Sequence, residues 1–305
     1  MIAPQPGAPV TVVGAGLMGS AIARALLAGG HSVTVWNRTV SRTEPLRDAG
    51  AELADSLADG IRASGVTVMC VASHAAATEL LENPEVLEAL RGQTLIQLTT
   101  GTPADGCRGA AFAEAHDITY MDGAIMAYPR TIGTDAGVIL YSGAEAAFRA
   151  HEALLGTLGK AQYVGLDAGR PAAIDAALIA FFYSTLAGFL HGAILTQAEG
   201  VAIDQYLELA RPFFATFISD AVQETGERIV ARNYADAESS MHTHLGGIDL
   251  LVVGSSREAE IDFAIMAAIR DSFARAIAAG RGDDDIACLI EVATTEMSDV
   301  NGKGP

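Results

Sequence analysis

The sequence predicts an α/β domain followed by an all-α domain. In the first half, short apolar runs alternate with helical segments, from "VTVVGAG" near the N-terminus to "AQYVG" at 161–165. This alternation indicates βαβ units and a parallel sheet covered by helices on both faces. After Gly169 no such runs recur, and long helical patterns fill the rest of the chain. The segment "GLDAGRP" marks the boundary, so we expect domains at 1–168 and 169–305.

The elements of the first half follow from apolar runs bounded by glycine or polar breaks. A helix is expected over "LMGSAIARALLAGG", closed by Gly29 and Gly30. Strands are predicted at "VTVVGAG", "SVTVWNR", "VTVMCVAS" (66–73), "TLIQLTTG" (94–101), "ITYMDGAIMA", "GVILYSG" and "AQYVG".

The second half reads as helices, the first beginning at Pro171. We expect them at 171–202, 204–230, 235–253 with a break at Gly246-Gly247, 256–279 and 283–297. Residues 176–195 carry no charge and are long enough to cross a bilayer. Polar side chains within the segment and the lack of a flanking basic cluster favour a soluble helix covered by protein.

Composition excludes several classes of function. The chain has 305 residues, 37 of them acidic and 19 basic, giving a net charge of -18. That charge is a poor match for nucleic acid or anionic membranes. The three cysteines fit no disulfide or metal pattern, and the N-terminus shows no signal peptide, so we expect a cytoplasmic protein. His242 and His244 alternate without a third ligand, so no metal site is expected.

Gly14, Gly16 and Gly19 form a G-x-G-x-x-G turn between the first strand and the first helix. Such a turn lets the backbone approach a pyrophosphate, which the free N–H groups of the helix N-terminus then bind. An ordinary strand-to-helix turn is the alternative. The position of the motif favours a Rossmann-type dinucleotide-binding domain.

The end of the second strand indicates which dinucleotide is bound. NAD-binding proteins place an acid there for the ribose 2′-hydroxyl. This strand instead ends "WNRTVSR", which offers Asn37, Arg38, Thr39 and Arg42 and no carboxylate. Arginine pairs with a 2′-phosphate, so the expected cofactor is NADPH. Solvated surface arginines are the alternative interpretation.

Five segments together resemble the NADPH-dependent imine reductases and reductive aminases, within the β-hydroxyacid dehydrogenase group. They are "VVGAGLMGSAIARALL", "VWNRT", "LTTGTP", "DGAIMAYP" and "AAIDAAL". The resemblance implies a Rossmann-type domain, a long interdomain helix and an all-α C-terminal domain, in an interlocked homodimer with active sites shared between chains. A second subunit would then cover residues 176–195.

The resemblance also implies two sets of binding residues. Those for the cofactor are Gly14, Ala15, Gly16, Leu17, Met18, Gly19, Asn37, Arg38, Thr39, Arg42, Val71, Ala72, Ser73 and Thr99. Those for the substrate pocket are Met126, Phe213, Met241 and His242, with ordinary packing as the alternative for His242 and a core position as the alternative for Phe213.

Asp175 occupies the helix position at which the β-hydroxyacid dehydrogenases carry a catalytic lysine. The lysines of this chain, Lys160 and Lys303, lie before the helix and in the tail. A carboxylate suits a different substrate, since it can hold a cationic iminium or, when protonated, donate a proton to an imine. The alternative is an acid that stabilises the helix dipole near the N-terminus.

Tyr183 follows Asp175 by two helical turns and so shares its face. A tyrosine at the matching position of the reductive aminases orients the amine, and a core aromatic is the alternative. Thr99 and Thr100 stand where that family favours an asparagine. This departure favours simple imine reduction over reductive amination.

The sequence therefore predicts an oxidoreductase that uses NADPH to reduce C=N bonds, with cyclic imines as the expected substrates. The expected partners are a small imine or amine and a second copy of the chain, with neither nucleic acid nor membrane. One alternative is a carbonyl reductase or alcohol dehydrogenase of the β-hydroxyacid type, which the missing lysine disfavours. The other is a catalytically inactive NADPH-binding protein.

Overall fold

The computed structural model describes residues 7–293, and within them eight strands form one sheet. The strand order is β3-β2-β1-β4-β5-β6-β7-β8. Every strand predicted from the sequence is present, and the two-residue β3 is additional because it is too short to carry a pattern. The strands are β1 Gly7–Val13, β2 His31–Trp36, β3 Glu52–Leu53, β4 Val66–Met69, β5 Thr94–Gln97, β6 Thr119–Met126, β7 Val138–Gly143 and β8 Lys160–Tyr163.

The prediction of a wholly parallel sheet was wrong for one pair of strands. β7 runs antiparallel to β6, with Met126 opposite Val138, whereas β8 is again parallel to β7. The connection from β6 to β7 contains a single short turn, Pro129–Thr131, and no crossover helix. A parallel connection needs about a dozen residues or more, usually with a helix, so this short link returns the chain antiparallel.

Helices cover both faces of the sheet, as the sequence predicted. Val12 and Val13 point to opposite faces because successive strand residues alternate. Val12 packs in a cluster with residues of α1 and α7, and Val13 in a second cluster with residues of α3, α5 and α6. The helices are α1 Leu17–Ala28, α2 Glu44–Arg47, α3 Leu57–Arg62, α4 His74–Leu81, α5 Pro84–Leu90, α6 Pro103–Ala115 and α7 Glu145–Gly156.

The second half is helical, as predicted. It contains α8 Arg170–Ala198, α9 Ile203–Phe213, α10 Ser219–Ala231, α11 Met241–Gly247, α12 Ser255–Glu258 and α13 Ala264–Ala276. Wider π-helical turns at Phe214–Ile218 and Ile248–Gly254 join α9 to α10 and α11 to α12. The helix predicted to start at Pro171 begins one residue earlier, at Arg170.

Several helix boundaries differ from the prediction: the first helix of the second half ends at Ala198 instead of 202, and the last begins at Ile286 instead of 283. The helix expected at 235–253 begins at Met241, where the Ser240 side chain accepts a hydrogen bond from the Thr243 N–H at 3.4 Å. It does not break at Gly246-Gly247, because a glycine costs only about 1 kcal/mol within a helix and packing can override that cost. The break lies between α12 and α13, where Glu260 has a φ of 54°.

The chain divides into two compact units, Met1–Ala180 and Phe181–Pro305. The division falls inside α8, whereas the sequence places the domain boundary at the start of that helix. The boundary at 168/169 therefore stays a prediction. Lys303 and the end of the last predicted helix, 283–297, lie outside the described residues.

Within residues 7–293, α8 is the one helix whose length and composition would allow it to cross a membrane. Its most apolar stretch has a mean hydropathy of 1.7, and 6% of that stretch is buried inside the single chain. The expected protein cover is thus not supplied by the chain itself. Large side chains left exposed along the helix are Leu178, Ile179, Phe181, Phe182, Tyr183, Leu186, Leu190 and Ile194.

Candidate active site

The glycine turn between β1 and α1 is packed too closely for side chains at two of its three positions. Gly14 has a φ of 109°, and a Cβ there would lie 2.1 Å from the Cys70 carbonyl oxygen. A Cβ on Gly19 would lie 2.1 Å from the Gly14 carbonyl oxygen. Gly16 precedes the first turn of α1, and a Cβ there would meet nothing within 4 Å. The turn therefore presents its middle glycine and the N-terminus of α1 to open space.

A crevice of about 340 Å³ lies beside this turn, at the carboxyl ends of β1, β2 and β4. Ligands of open α/β sheets bind in this place. The structure brings eleven of the predicted cofactor residues together around it: Gly14, Gly16, Leu17, Met18, Gly19, Asn37, Arg38, Thr39, Arg42, Val71 and Ala72.

The other three predicted cofactor residues support the crevice without lining it. The Ala15 N–H donates to Asn37 Oδ1 at 3.0 Å. Ser73 caps α4 by accepting from the Ala76 N–H at 3.2 Å. The Val71 N–H donates to Thr99 Oγ1 at 3.1 Å. These bonds hold the ends of β2, β4 and β5 in place around the crevice.

Sequence reasoning missed five residues that line this crevice: Trp36, Cys70, Ala76, Glu79 and Leu80. The first two could have been found, since they lie at the carboxyl ends of β2 and β4. The residues on α4 carry no motif and become neighbours only through the fold. Burial raises the pKa of the Cys70 thiol to about 11, so it stays neutral and is a poor nucleophile.

The polar groups at the end of β2 fit a phosphorylated ribose. The Asn37 side chain is fixed, because its Nδ2 donates to the Thr39 carbonyl oxygen at 2.9 Å while its Oδ1 accepts from Ala15. Arg38 and Arg42 are exposed at the crevice. The strand end supplies no carboxylate that would repel a 2′-phosphate, so the residues present fit NADPH.

Asp175 lies on a second, much smaller cavity of about 10 Å³ in the first unit. This cavity lies at the start of α8, beside the residues that follow β5 and the second half of β6. Asp175 is half-buried, and this burial raises the pKa of its carboxyl above the usual value. The protonated acid is therefore accessible closer to neutral pH than for a solvated aspartate. The lining residues are His74, Leu98, Thr99, Thr100, Gly101, Thr102, Gly106, Asp122, Gly123, Ala124, Ile125, Ala172 and Asp175.

A second carboxyl at this cavity, Asp122, was not predicted as a site residue. Its side chain belongs to β6 and is 4% exposed. Burial, opposed by the hydrogen bond from Tyr120 and supported by the nearby Asp105, raises its pKa to about 7. The signal was present in the sequence as an acid within an apolar strand, "ITYMDGAIMA".

Tyr183 and Phe213 lie on exposed helix surfaces of the second unit. Tyr183 is 66% exposed and meets Phe182 edge to face, with ring centroids 5.3 Å apart. Phe213 is 53% exposed and stacks on Phe217 at 4.9 Å. Neither side chain is a core aromatic within the single chain. Their roles stay predictions.

The remaining predicted pocket residues differ in their surroundings. Met126 is partly buried at the end of β6. Met241 is fully buried, in a cluster that includes Phe273 and Cys288. His242 is exposed, and its backbone N–H donates to the Gly282 carbonyl oxygen at 3.1 Å. Met241 thus packs in the core of the second unit, and contact of these residues with a substrate stays a prediction.

His242 and His244 take no part in a metal site within residues 7–293. No group of three or more His, Cys, Asp or Glu side chains in this range is placed to hold a metal ion.

Two protein-family profiles together match most of the chain. Residues 9–165 match the NAD binding domain of 6-phosphogluconate dehydrogenase. Residues 167–295 match the profile described as NADPH-dependent reductive aminase-like, C-terminal domain. The first match contains the glycine turn and its crevice, and the second contains Asp175 and the helical half.

Individual proteins agree with these profiles along nearly their whole length. An NADPH-dependent reductive aminase of Aspergillus oryzae is 30% identical over 92% of this chain and 96% of its own. The structure of an imine reductase from Myxococcus stipitatus in complex with NADP+ is 36% identical, covers 93% of this chain and 99% of its own, and has a TM-score of 0.87.

A reductive aminase from Aspergillus terreus, in complex with NADPH and ethyl levulinate, is 34% identical. It covers 93% of this chain and 98% of its own, with a TM-score of 0.85. Sequence and fold thus agree from the glycine turn to the last helices, and the chain belongs to the family of NADPH-dependent imine reductases and reductive aminases.

Proposed function

We propose that this enzyme uses NADPH to reduce the C=N bond of imines or iminium ions, cyclic ones above all, to the corresponding amines. The observation that carries the proposal is the half-buried Asp175 at the head of α8. The resemblance matches this position to the catalytic lysine of the β-hydroxyacid dehydrogenases. A carboxyl is complementary to a cationic iminium, whereas a lysine would repel it.

The cofactor, when bound, supplies the hydride that adds to the carbon of the C=N bond. In our proposal Gly16 and the N-terminus of α1 hold its pyrophosphate. Arg38 and Arg42 pair with the 2′-phosphate. Val71 and Ala72 line the crevice and position the rest of the cofactor.

Asp175 is proposed to act on the nitrogen of the C=N bond in one of two ways. Since its raised pKa makes the acid accessible, it can donate a proton to a neutral imine. In its ionised form it stabilises a substrate that is already an iminium. Tyr183 is proposed to orient the amine nitrogen, and Met126, Phe213, Met241 and His242 to contact the substrate.

Three parallel assays test this proposal by following NADPH at 340 nm, a general property of the reduced nicotinamide. The proposal expects oxidation of NADPH with a cyclic imine, and none with NADPH alone. Reduction of NADP+ by a hydroxyacid without imine activity would instead indicate a dehydrogenase of the β-hydroxyacid type. Binding of NADPH without turnover of any substrate would indicate an inactive NADPH-binding protein.

A fourth assay, with a ketone and a free amine together, separates two activities of the family. Thr99 and Thr100 replace the asparagine that the resemblance associates with reductive amination. We therefore expect preformed cyclic imines to react faster than a ketone mixed with an amine.

We also propose that the active enzyme is a homodimer in the cytoplasm. The exposed face of α8 continues into an apolar groove of about 950 Å³ formed with α9 and the π-helical turn after it. Monomers rarely leave so many large apolar side chains exposed on one contiguous face. We propose that a second copy of the chain covers this face. The spacing of the cysteines fits no disulfide pattern, which supports a reducing compartment such as the cytoplasm.

The dimer prediction is tested by light scattering at micromolar concentration. The wild-type chain should show twice the 31.5 kDa chain mass. Leu190→Arg, which places a charge on the exposed face of α8, should shift the protein towards monomer or aggregate. Leu166→Arg changes a similarly exposed leucine outside that helix and should stay dimeric. A folded wild-type monomer would contradict the prediction.

Cofactor choice should depend on Arg38. Arg38→Ala is expected to raise the KM for NADPH several-fold and to leave the weak use of NADH almost unchanged, because NADH lacks the 2′-phosphate. Steady-state kinetics with both cofactors measure this. Arg91→Ala, at an exposed arginine outside the crevice, is the control. Equal losses with both cofactors would rule out the 2′-phosphate contact.

A further inference from the structure

Two carboxyl groups, Asp122 and Asp175, line the same small cavity. Its volume of about 10 Å³ is close to what a single water occupies by this measure. Thr99, Thr100 and Thr102 also line it. The two acids therefore share one cavity that has room for a water.

Asp122 is also linked, through Tyr120, to a second crevice. The Tyr120 hydroxyl donates to Asp122 Oδ1 at 3.3 Å. Tyr120 also lines a crevice of about 460 Å³ between α4 and α6, together with Thr78, Arg108 and Phe112. Tyr120 and Asp122 thus lie between this larger crevice and the cavity that holds Asp175.

Close packing fixes Asp122 in this position. A Cβ on Gly106 of α6 would lie 2.7 Å from Asp122 Oδ2 and 2.4 Å from the Ala168 carbonyl oxygen, so the glycine allows α6 to pass over the carboxyl. Gln97 lies on the neighbouring strand β5, and its side-chain amide oxygen accepts a hydrogen bond from the Thr99 N–H at 3.1 Å. This hydrogen bond engages Gln97 with its own strand end. Within residues 7–293, no lysine or arginine forms an ion pair with Asp122.

The titratable groups around Asp122 come from each element packed against it. Tyr120 shares its strand, Asp105 lies on α6, His74 begins α4 and Asp175 lies on α8. Burial raises the pKa of Tyr120, and Asp122, Asp105 and Cys107 of α6 act in the same direction. Because burial and Asp105 raise the pKa of Asp122 to about 7, its carboxyl gains and loses a proton near neutral pH.

We propose that Tyr120 and Asp122 form a proton relay that returns a proton from the crevice between α4 and α6 to Asp175 after each reduction. The relay rests on the proposed function, with Asp175 as the proton donor. It gives Asp122, a buried carboxyl without an ion pair in the described part of the chain, a role that packing of the strand does not require.

The proton balance closes over one turnover. A hydride from the nicotinamide adds to the imine carbon, and the Asp175 proton passes to the nitrogen, which leaves the Asp175 carboxylate. That carboxylate takes a proton through one water from the Asp122 acid. Asp122 then takes the Tyr120 hydroxyl proton as Tyr120 receives one from water in the crevice. One solvent proton is consumed for each C=N bond reduced.

Asp122→Asn and Tyr120→Phe test the relay by separating the first turnover from the later ones. Both variants start with Asp175 protonated, so the first turnover should stay near wild type. The steady-state kcat should fall about tenfold, with its alkaline limb moved to lower pH. Added formate should partly restore kcat in Asp122→Ala. Tyr163→Phe, a partly buried tyrosine whose hydroxyl donates to the Gly143 carbonyl oxygen at 2.8 Å, should behave as wild type.

An infrared titration reads the Asp122 proton without turnover. A protonated-carboxyl band that disappears near pH 7 should be present in the wild type and missing in Asp122→Asn. A wild-type kcat and pH profile in both variants would overturn the relay, as would an equal loss in first and later turnovers. A wild-type protein that reduces no imine would overturn the proposed function itself. Should Asp122→Asn not fold, Tyr120→Phe still decides the matter.

Discussion

Asp175→Asn is expected to lower kcat/KM for imine reduction about a hundred-fold while NADPH binds as in the wild type. Asparagine keeps the shape and a hydrogen bond but has neither the negative charge nor the acidic proton. Loss of that group from a half-buried position should cost the transition state a few kcal/mol. Steady-state kinetics with a cyclic imine and direct NADPH titration measure the two quantities.

The two roles of Asp175 differ in their response to substrate charge and to pH. If Asp175 is the acid, a permanently charged N-alkyl iminium needs no proton, and its reduction should suffer less in the variant. The wild-type rate on a neutral imine should then fall as pH rises through the raised pKa of Asp175, because the acid form is lost. If Asp175 is a counter-charge, the loss should be equally large for the N-alkyl iminium.

Asp135→Asn is the matched control, because it removes an exposed carboxylate outside both cavities. It should leave kcat/KM unchanged. Near-full activity of both Asp175→Asn and Asp175→Ala on every imine tested would contradict the prediction. Asp175 would then be an acid that stabilises the N-terminus of α8, and Tyr183 or water would have to supply the proton.

Strands and helices were predictable where local pattern and tertiary structure agree. Six of the seven predicted strands contain buried apolar residues, which sequence alone reveals, and β8 is the exception with none buried. The direction of β7 was missed because no pattern within the strand determines it. It depends on the short connection 127–137, which contains no crossover helix. The break predicted at Gly246-Gly247 was wrong because the local preference of glycine for a helix break was overridden by the surrounding helix.

The candidate site was predictable where it is carried by a contiguous motif. The glycine turn and the end of β2 line the crevice as expected, since both lie at carboxyl ends of neighbouring strands. Glu79 and Leu80 reach the same crevice from α4, and Asp122 reaches the Asp175 cavity from β6. These residues are far apart in sequence, so only the fold reveals that they are neighbours.

Alanine at Gly16 and alanine at Gly19 should damage different properties, the first NADPH affinity and the second the stability of the fold. Gly16→Ala should leave the melting temperature unchanged, because Gly16 has a φ of -75° and a Cβ there meets nothing within 4 Å. It should nevertheless raise the Kd for NADPH at least about tenfold, since the methyl group stands where the pyrophosphate must approach. Calorimetric titration and thermal unfolding measure the two effects.

Gly19→Ala should primarily damage the fold. Its Cβ would lie 2.1 Å from the Gly14 carbonyl oxygen, a backbone atom that cannot rotate away. The β1–α1 turn must then open, at a cost of about 3 kcal/mol, which lowers the melting temperature of the first unit by about 10 °C. Each variant thus serves as the control for the other. Wild-type NADPH affinity in a folded Gly16→Ala protein would mean that the pyrophosphate is not held at this turn, and the assignment of the whole crevice would fail with it.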